Sequence, residues 1–131
     1  MAEMTLFPGA HVLVEYKTGQ YIGQLLEWSP PRALVQIAAV VKHPDQGDLH
    51  RPLETEVALF HQRRALSHRE KTWIPVQSVH PYRGTVPEYT DSLRQALEAE
   101  QRHLEKTRRW AERSLEELAQ LQKDYFPHSH S

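Results

Sequence analysis

The sequence predicts a mainly β fold followed by a C-terminal α-helical segment. All five glycines and seven of the nine prolines lie before position 85, whereas the remainder is rich in Glu, Arg, Gln, Leu and Ala. Glycine and proline mark turns between strands, and the second set of residues favours helix. We therefore expect a β domain in residues 1–84, a helical segment in residues 85–126 and a frayed tail in residues 127–131.

The first strands form a predicted hairpin. Val12, Val14 and Tyr16 recur at every second position, which is the period of a strand with one buried face. Lys17-Thr18-Gly19-Gln20 follows as a turn signal, and the apolar stretch from Tyr21 to Trp28 supplies the second strand. We expect the glycine to lie in the turn itself.

Further strands are predicted along the next fifty residues. Residues 33–41 are almost entirely apolar and rich in Val and Ile, which favours a central strand. Residues 42–54 are polar and carry Pro and Gly, so they form a long connection of the kind that often has a function. Short strands are expected at 57–60, 72–74 and 79–82.

Several short strands separated by turns indicate a small antiparallel barrel, because closure removes exposed sheet edges. Trp73-Ile74-Pro75 is followed by Val76-Gln77-Ser78 and then Val79. An aromatic strand, a proline, one turn of 3-10 helix and a last short strand is the closing pattern of SH3-like barrels. The alternative is a proline-terminated strand in another kind of sheet.

The helical segment is one long or broken amphipathic helix. Residues 88–126 contain neither Gly nor Pro, and an apolar residue recurs every seven positions. These positions are Leu97, Leu104, Ala111, Leu118 and Tyr125. The spacing of Thr85 and Glu88 suits a capping box, Thr90 and Asp91 are alternative caps, and Pro127 disfavours continuation of the helix.

The alternate heptad positions are poorly suited to a regular coiled coil. Glu100, Thr107 and Ser114 occupy them, so a two-stranded zipper would be badly packed in its middle. We expect a break near residues 106–109, giving two antiparallel helices, or docking of one half on the barrel. A homodimer through the helices stays open.

Composition excludes several classes of function. The 16 Lys and Arg residues against 17 Asp and Glu residues leave no basic excess for binding to nucleic acid. The chain has no cysteine, which removes disulfides, thiolate zinc sites and thiol nucleophiles. The longest apolar run, Ile37 to Val41, is far too short to span a bilayer, and no secretory signal is visible. We expect a cytoplasmic protein.

Histidine is unusually frequent, with nine residues. His43, Asp45, Asp48 and His50 lie in one connection, and imidazole with carboxylate is a donor set for zinc. Polar side chains in such connections more commonly bind nearby backbone. Because no nucleotide-binding or hydrolase motif occurs, we predict no catalytic residue, no metal and no cofactor. A metal-dependent enzyme built on His43–His50 is kept as an alternative.

A second cluster surrounds two adjacent arginines. Arg63 and Arg64 follow His61, and a pair of guanidinium groups can form a fork for a carboxylate or a phosphate. The other interpretation is a charged corner in which the arginines pair with acidic neighbours. Those neighbours are Glu54, Glu56 and Glu70.

Three segments in order carry a resemblance to a known family: Lys17–Gly23, His43–His50 and Phe60–Leu66. Shorter matches continue downstream at Glu70-Lys71, Ile74-Pro75, Val79, Pro81-Tyr82, Tyr89, Ser92-Leu93 and Asp124–Phe126. Together these segments closely resemble the kinase-associated protein B family of spore-forming Bacillus-type bacteria. The resemblance covers nearly the whole chain.

The resemblance implies an SH3-like barrel with a helical C-terminal segment. It also implies a role in the sporulation phosphorelay, where the protein is needed for activation by a membrane-bound sensor histidine kinase. It implies no catalytic residue. Members have been described as lipoproteins, but this chain has no cysteine to acylate, so we expect membrane association only through the partner.

The resulting hypothesis is a non-enzymatic adaptor that binds a sensor histidine kinase, or another phosphorelay protein, through the barrel surface. Aromatic and arginine side chains are the usual anchors of such surfaces. The candidate partner-binding residues are Tyr16, Tyr21, Trp28, His43, Gln46, Asp48, His50, His61, Arg63 and Arg64. The alternative is an SH3/Tudor-like module that binds nucleic acid or peptide, with binding that weakens steeply as salt rises if the ligand is nucleic acid.

Overall fold

A computed structural model describes residues 6–128 of the chain. The elements are β1 (His11–Tyr16), β2 (Gly19–Ser29), β3 (Arg32–Lys42), β4 (Lys71–Pro75), a 3-10 turn (Val76–Ser78), β5 (Val79–Pro81) and α1 (Tyr89–Tyr125). The predicted mainly β fold with a C-terminal helix is confirmed. Residues 129–131 of the predicted frayed tail lie outside the described residues.

The five strands form one antiparallel sheet in the order β4-β3-β2-β1-β5. Its two edge strands, β4 and β5, are joined by only three residues, Val76–Ser78. Edge strands of a flat five-stranded sheet lie about 19 Å apart, which is more than the roughly 14 Å that so short a connection spans. The sheet therefore curls into the small barrel-like domain that the sequence predicts.

The core lies inside the curled sheet and draws on every strand. Its buried members include Val12, Leu25, Val35, Ile74 and Val79, one from each strand in turn. Alternate residues of β1 and β3 point inward, as the period of two in their sequences requires. Burial of this one face is what fixes the register of the sheet.

The β1–β2 hairpin is confirmed, but its turn differs from the prediction. β1 ends at Tyr16 and β2 begins at Gly19, so Lys17 and Thr18 form a two-residue turn with φ angles of 46° and 69°. This is the geometry of a type I′ turn, whose twist matches that of the strands. Gly19 instead pairs with Tyr16, and a side chain there would collide with the ring of Tyr21.

The central strand is confirmed as β3, but the strand predicted at 57–60 is wrong. Those residues belong to an irregular connection over residues 43–70. β4 pairs only with Arg32–Gln36 of β3, and farther along that strand the Val40 backbone N–H donates to the Ser92 hydroxyl instead of to another strand. Residues 57–60 have the apolar composition of a short strand, but they pair with no other strand.

Helix α1 is continuous, so the break predicted near residues 106–109 is wrong. Ion pairs between residues three or four positions apart line the same stretch, and each stabilises a helix by a few tenths of a kcal/mol. They join Glu105 to Arg108 and Arg109, Arg108 to Glu112, and Arg113 to Glu117. Without Gly or Pro in the segment, nothing in its sequence interrupts the helical hydrogen bonds.

The cap of α1 is Glu88, and the predicted caps Thr85, Thr90 and Asp91 do not fill this role. A Glu88 carboxylate oxygen accepts the backbone N–H of Asp91 at 2.9 Å. That hydrogen bond lowers the pKa of Glu88 below its usual value. The cap is therefore complete at neutral pH and is lost as the pH falls through the lowered pKa.

The chain forms two compact units, residues 1–97 and residues 98–131. The first turns of α1 belong to the first unit, where Ala96 joins the core. The buried hydroxyl of Ser92 accepts the backbone N–H of Val40 at 2.9 Å and donates to the carbonyl oxygen of Tyr89. The start of the helix is thereby part of the β domain.

Candidate functional site

Most of the predicted site residues lie in the connection between β3 and β4, residues 43–70, which we call the long connection. Its first part holds residues 43–50 and its last part holds residues 60–66, the two segments that the sequence singled out. The structure brings these two parts together. Long connections without regular secondary structure are uncommon in compact domains and often have a function. In this one, side-chain hydrogen bonds hold the two parts against each other.

A pair of side chains joins the two parts. The Gln46 amide donates to the carbonyl oxygen of Arg63 at 2.9 Å and accepts the Arg63 backbone N–H at 2.8 Å. The Arg63 guanidinium donates to the carbonyl oxygens of Asp45 at 2.6 Å and Gly47 at 3.1 Å. We call this arrangement the Gln46–Arg63 clamp. Arg63 therefore holds the first and last parts of the long connection together.

The beginning of the long connection is tied to the β1–β2 turn. The backbone N–H of Asp45 donates to the Thr18 hydroxyl at 2.8 Å. The Lys42 ammonium bridges the two, at 3.0 Å from an Asp45 carboxylate oxygen and 3.1 Å from the carbonyl oxygen of Thr18. This fixes the orientation in which residues 45–50 leave the barrel.

The end of the long connection is held by two tyrosines. The Leu66 backbone N–H donates to the Tyr21 hydroxyl at 3.3 Å, and the Tyr89 hydroxyl donates to the Leu66 carbonyl oxygen. Burial raises the pKa of Tyr21 and of Tyr89 above the usual tyrosine value. Both hydroxyls therefore stay neutral in the folded protein at pH values where an exposed tyrosine begins to ionise.

This shift predicts alkaline destabilisation. Because the folded-state pKa of Tyr21 is raised, its contribution to stability is complete below the unfolded-state pKa of about 10 and is lost as the pH rises through the folded-state value. Urea unfolding from pH 8 to 11 should show a steep decline above pH 10, and Tyr21→Phe should flatten it. An identical decline in the variant and the parent chain would contradict this role of Tyr21.

A small cleft lies beside the clamp. Its volume is about 370 Å³, and it is lined by Lys17, Asp48, Leu49, His50, His61, Gln62 and Arg63. The Asp48 carboxylate is engaged with the backbone, because it accepts the N–H of His50 at 2.9 Å. The cleft is therefore a surface between a hairpin turn and a folded loop, with mixed polar and apolar walls.

The histidines and acids of the long connection do not gather around a common point. Within residues 6–128, no three His, Asp or Glu side chains are placed to share a metal ion. His43 Nδ1 lies 3.0 Å from the carbonyl oxygen of Pro44, and Asp45 pairs with Lys42. These side chains bind the main chain and a neighbouring lysine, so the geometry offers no donor set to the metal-dependent alternative.

The other predicted site residues lie apart from this cleft. Tyr21 is only 1% exposed and belongs to the core, and Tyr16 is half-buried against it with the Lys17 ammonium 5.3 Å from its ring centroid. Trp28 is partly exposed near the end of β2. Arg64 follows the clamp and is exposed.

Sequence reasoning missed the exposed apolar side chains of the long connection. Leu53 is 98% exposed, and its φ of +69° lies in the left-handed region that leucine rarely adopts. Leu59 and Phe60 are also more than half exposed. Phe60 lies over Gly47, which has a φ of +92° and no room for a side chain. The local signal for the Leu53 angle is Pro52, because proline favours the second position of a turn and Leu53 is then the third.

In residues 6–128, no helix is both long enough and apolar enough to cross a membrane. The amphipathic α1 is long enough but carries charges along its whole length.

Three comparisons with known proteins agree with one another. The family model described as "Kinase associated protein B" matches residues 16–126. "Kinase-associated lipoprotein B" of Bacillus subtilis (strain 168) is 46% identical over 123 residues, covering 93% of this chain and 96% of the relative. The X-ray structure of kinase-associated protein B from Bacillus cereus is 44% identical, with a TM-score of 0.68, and the match covers 92% of this chain and 98% of that one.

Proposed function

This chain belongs to the kinase-associated protein B family, and we propose that it is a non-catalytic adaptor that associates with a sensor histidine kinase of the sporulation phosphorelay. The names of both relatives state association with a kinase. The resemblance of the segments at 17–23, 43–50 and 60–66 supplies the class of kinase and the pathway. In this proposal the protein is cytoplasmic and reaches the membrane through its partner.

The proposed contact face depends on one observation, the nearly complete exposure of the Leu53 side chain. A fully exposed leucine gains nothing from burial, and its left-handed backbone costs roughly 1 kcal/mol. The angle has a local cause, because Leu53 is the third residue of a turn in which the Glu54 backbone N–H donates to the Arg51 carbonyl oxygen at 3.3 Å. The turn does not account for the exposure of the leucine side chain, and a partner that covers it gives that exposure a reason.

The rest of the long connection also suits a protein partner. The long connection also exposes Leu59 and Phe60, and Arg64 places a cation in the same segment. Aromatic residues such as Phe60 and arginine residues such as Arg64 are enriched in protein interfaces. The Gln46–Arg63 clamp holds the long connection in one conformation, which reduces the entropy lost on binding.

The test is Leu53→Asn. Asparagine adopts the left-handed conformation more easily than leucine, so the free energy of unfolding should rise by up to about 1 kcal/mol. If Leu53 contacts the kinase, co-purification of the kinase with the tagged full chain should fall at least tenfold. A protein that becomes more stable while it loses its partner separates binding from folding.

The matched control is Arg69→Asn. Arg69 is exposed, has a φ of +70° and lies in the same connection, so this variant changes the backbone preference in the same way. It should retain the kinase. If Leu53→Asn retains the kinase as well, Leu53 is not part of the contact face. If the parent chain itself captures no sensor kinase from sporulating cells, the adaptor role is wrong.

A further inference from the structure

The helix of the second unit presents an uncovered apolar stripe. Six residues along one side of α1 define it: Leu104, Thr107, Ala111, Ser114, Leu118 and Leu121. The leucines at 104, 118 and 121 are 51%, 60% and 40% exposed, and α1 has no buried residue beyond Ala96. A helix of this length with one apolar side normally buries that side against another helix.

We propose that a second copy of this chain covers the stripe, with the two helices antiparallel and crossing between Ala111 and Ser114. This deepens the sequence-based expectation of a helical homodimer by assigning its orientation. It does not depend on the association with a kinase.

The sizes of the stripe residues favour this orientation. In a parallel pair each residue faces its own copy, so the small residues Thr107, Ala111 and Ser114 stack in three consecutive thin layers. In the antiparallel pair Thr107 faces Leu118 of the other copy, and Leu104 faces Leu121. Only the crossing point then joins small residues, where they let the helices approach closely, and large and small side chains alternate elsewhere.

The charges favour the same orientation. Residues 102–109 carry four basic residues and one acidic residue, whereas residues 116–123 carry two acidic residues and one basic residue. The antiparallel pair runs the first segment of one copy beside the second segment of the other. A parallel pair sets the basic segments side by side and places Glu100 against Glu100. Repulsion of like charges therefore opposes the parallel pair.

The test of orientation uses the absence of cysteine from the chain. Leu104→Cys and Leu121→Cys are made separately in the full-length protein, mixed, and oxidised under mild conditions. The antiparallel pair should give a mixed disulfide between the two variants and little disulfide within either one. Disulfides within Leu104→Cys alone, at the yield of the mixture, would show a parallel pair and overturn the proposal.

The test of the dimer itself is its mass in solution. Analytical ultracentrifugation of the full chain should give twice the 15.3 kDa chain mass, and Leu118→Glu should reduce it to one chain mass. Leu59→Glu is the matched control, since Leu59 is also 60% exposed but lies in the long connection, and it should stay dimeric. Far-ultraviolet circular dichroism checks that all variants remain folded.

A monomer at every concentration of the parent chain would overturn the proposal and leave the stripe to another protein. These outcomes are distinct from those of the kinase experiment. A dimer that binds no kinase supports this inference alone, and a monomer that binds the kinase supports the proposed function alone.

Discussion

Replacement of Arg63 by alanine is expected to lower the free energy of unfolding by about 2 kcal/mol, since hydrogen bonds from a charged group are each worth roughly 1.5 to 3 kcal/mol before allowance for partial exposure. The variant loses both guanidinium contacts, to the carbonyl oxygens of Asp45 and Gly47. Residues 45–47 and 61–63 should then exchange their amide hydrogens faster. Urea unfolding and hydrogen exchange measured by mass spectrometry check the two effects.

The neighbouring arginine is the control. Arg64 is exposed and makes no ion pair with any residue in the part of the chain that the structure describes, so Arg64→Ala should change stability by less than about 0.5 kcal/mol. Arg63→Lys should lower the free energy of unfolding nearly as much as Arg63→Ala does, because an ammonium group cannot reproduce the two-pronged guanidinium geometry. Equal stability of Arg63→Ala and the parent chain would mean that the clamp does not hold the long connection.

Ser92→Ala is expected to cost about 1 to 3 kcal/mol, the usual penalty for a buried donor left without a partner. The hydroxyl of Ser92 is the acceptor for the backbone N–H of Val40, a core residue of β3. Alanine favours helix more than serine does, so its local effect on α1 has the opposite sign. A measured loss therefore reports the contact between helix and sheet. Thermal and urea unfolding provide the measurement.

Ser114→Ala provides the comparison for Ser92→Ala. It makes the same chemical change in the same helix outside the β domain, at the proposed crossing point of the dimer, where alanine keeps the side chain small. It should be neutral or slightly stabilising. If both serine variants behave alike, the hydrogen bond between Ser92 and Val40 does not tie the helix to the sheet.

The sequence identified residues 43–50 and 60–66 as candidate functional segments, but it did not reveal the role of each residue in them. The sequence allowed two roles for Arg63: binding a carboxylate or phosphate ligand together with Arg64, or pairing with nearby acidic side chains. In the structure the Arg63 guanidinium donates to main-chain carbonyl oxygens that lie 18 and 16 positions earlier in the chain. The Gln46 amide, between those two positions, donates to the carbonyl oxygen of Arg63. Such pairing depends on where two distant stretches of backbone approach each other, which no local pattern encodes.

The failed strand at 57–60 has a related cause. Its composition is apolar, and composition is all that a short run offers. Whether a run becomes a strand depends on whether it meets a free sheet edge, and beyond the β4 pairing the Val40 N–H of β3 is taken by the Ser92 hydroxyl. The left-handed angle of Leu53 has a different cause, because it belongs to a local turn after Pro52 that is closed by a hydrogen bond from the Glu54 N–H to the Arg51 carbonyl oxygen.

The amino-acid sequence alone determined the mainly β front part, the hairpin, the central strand, the 3-10 turn before β5, the helical character of the C-terminal segment and the family. Each of these depends on periodicity, turn chemistry or residue order within a few neighbouring positions. Only the tertiary structure decided that Arg63 holds the two parts of the long connection together and that Ser92 joins α1 to β3. Those outcomes depend on which polar groups meet in space once the apolar face of the sheet has closed on itself.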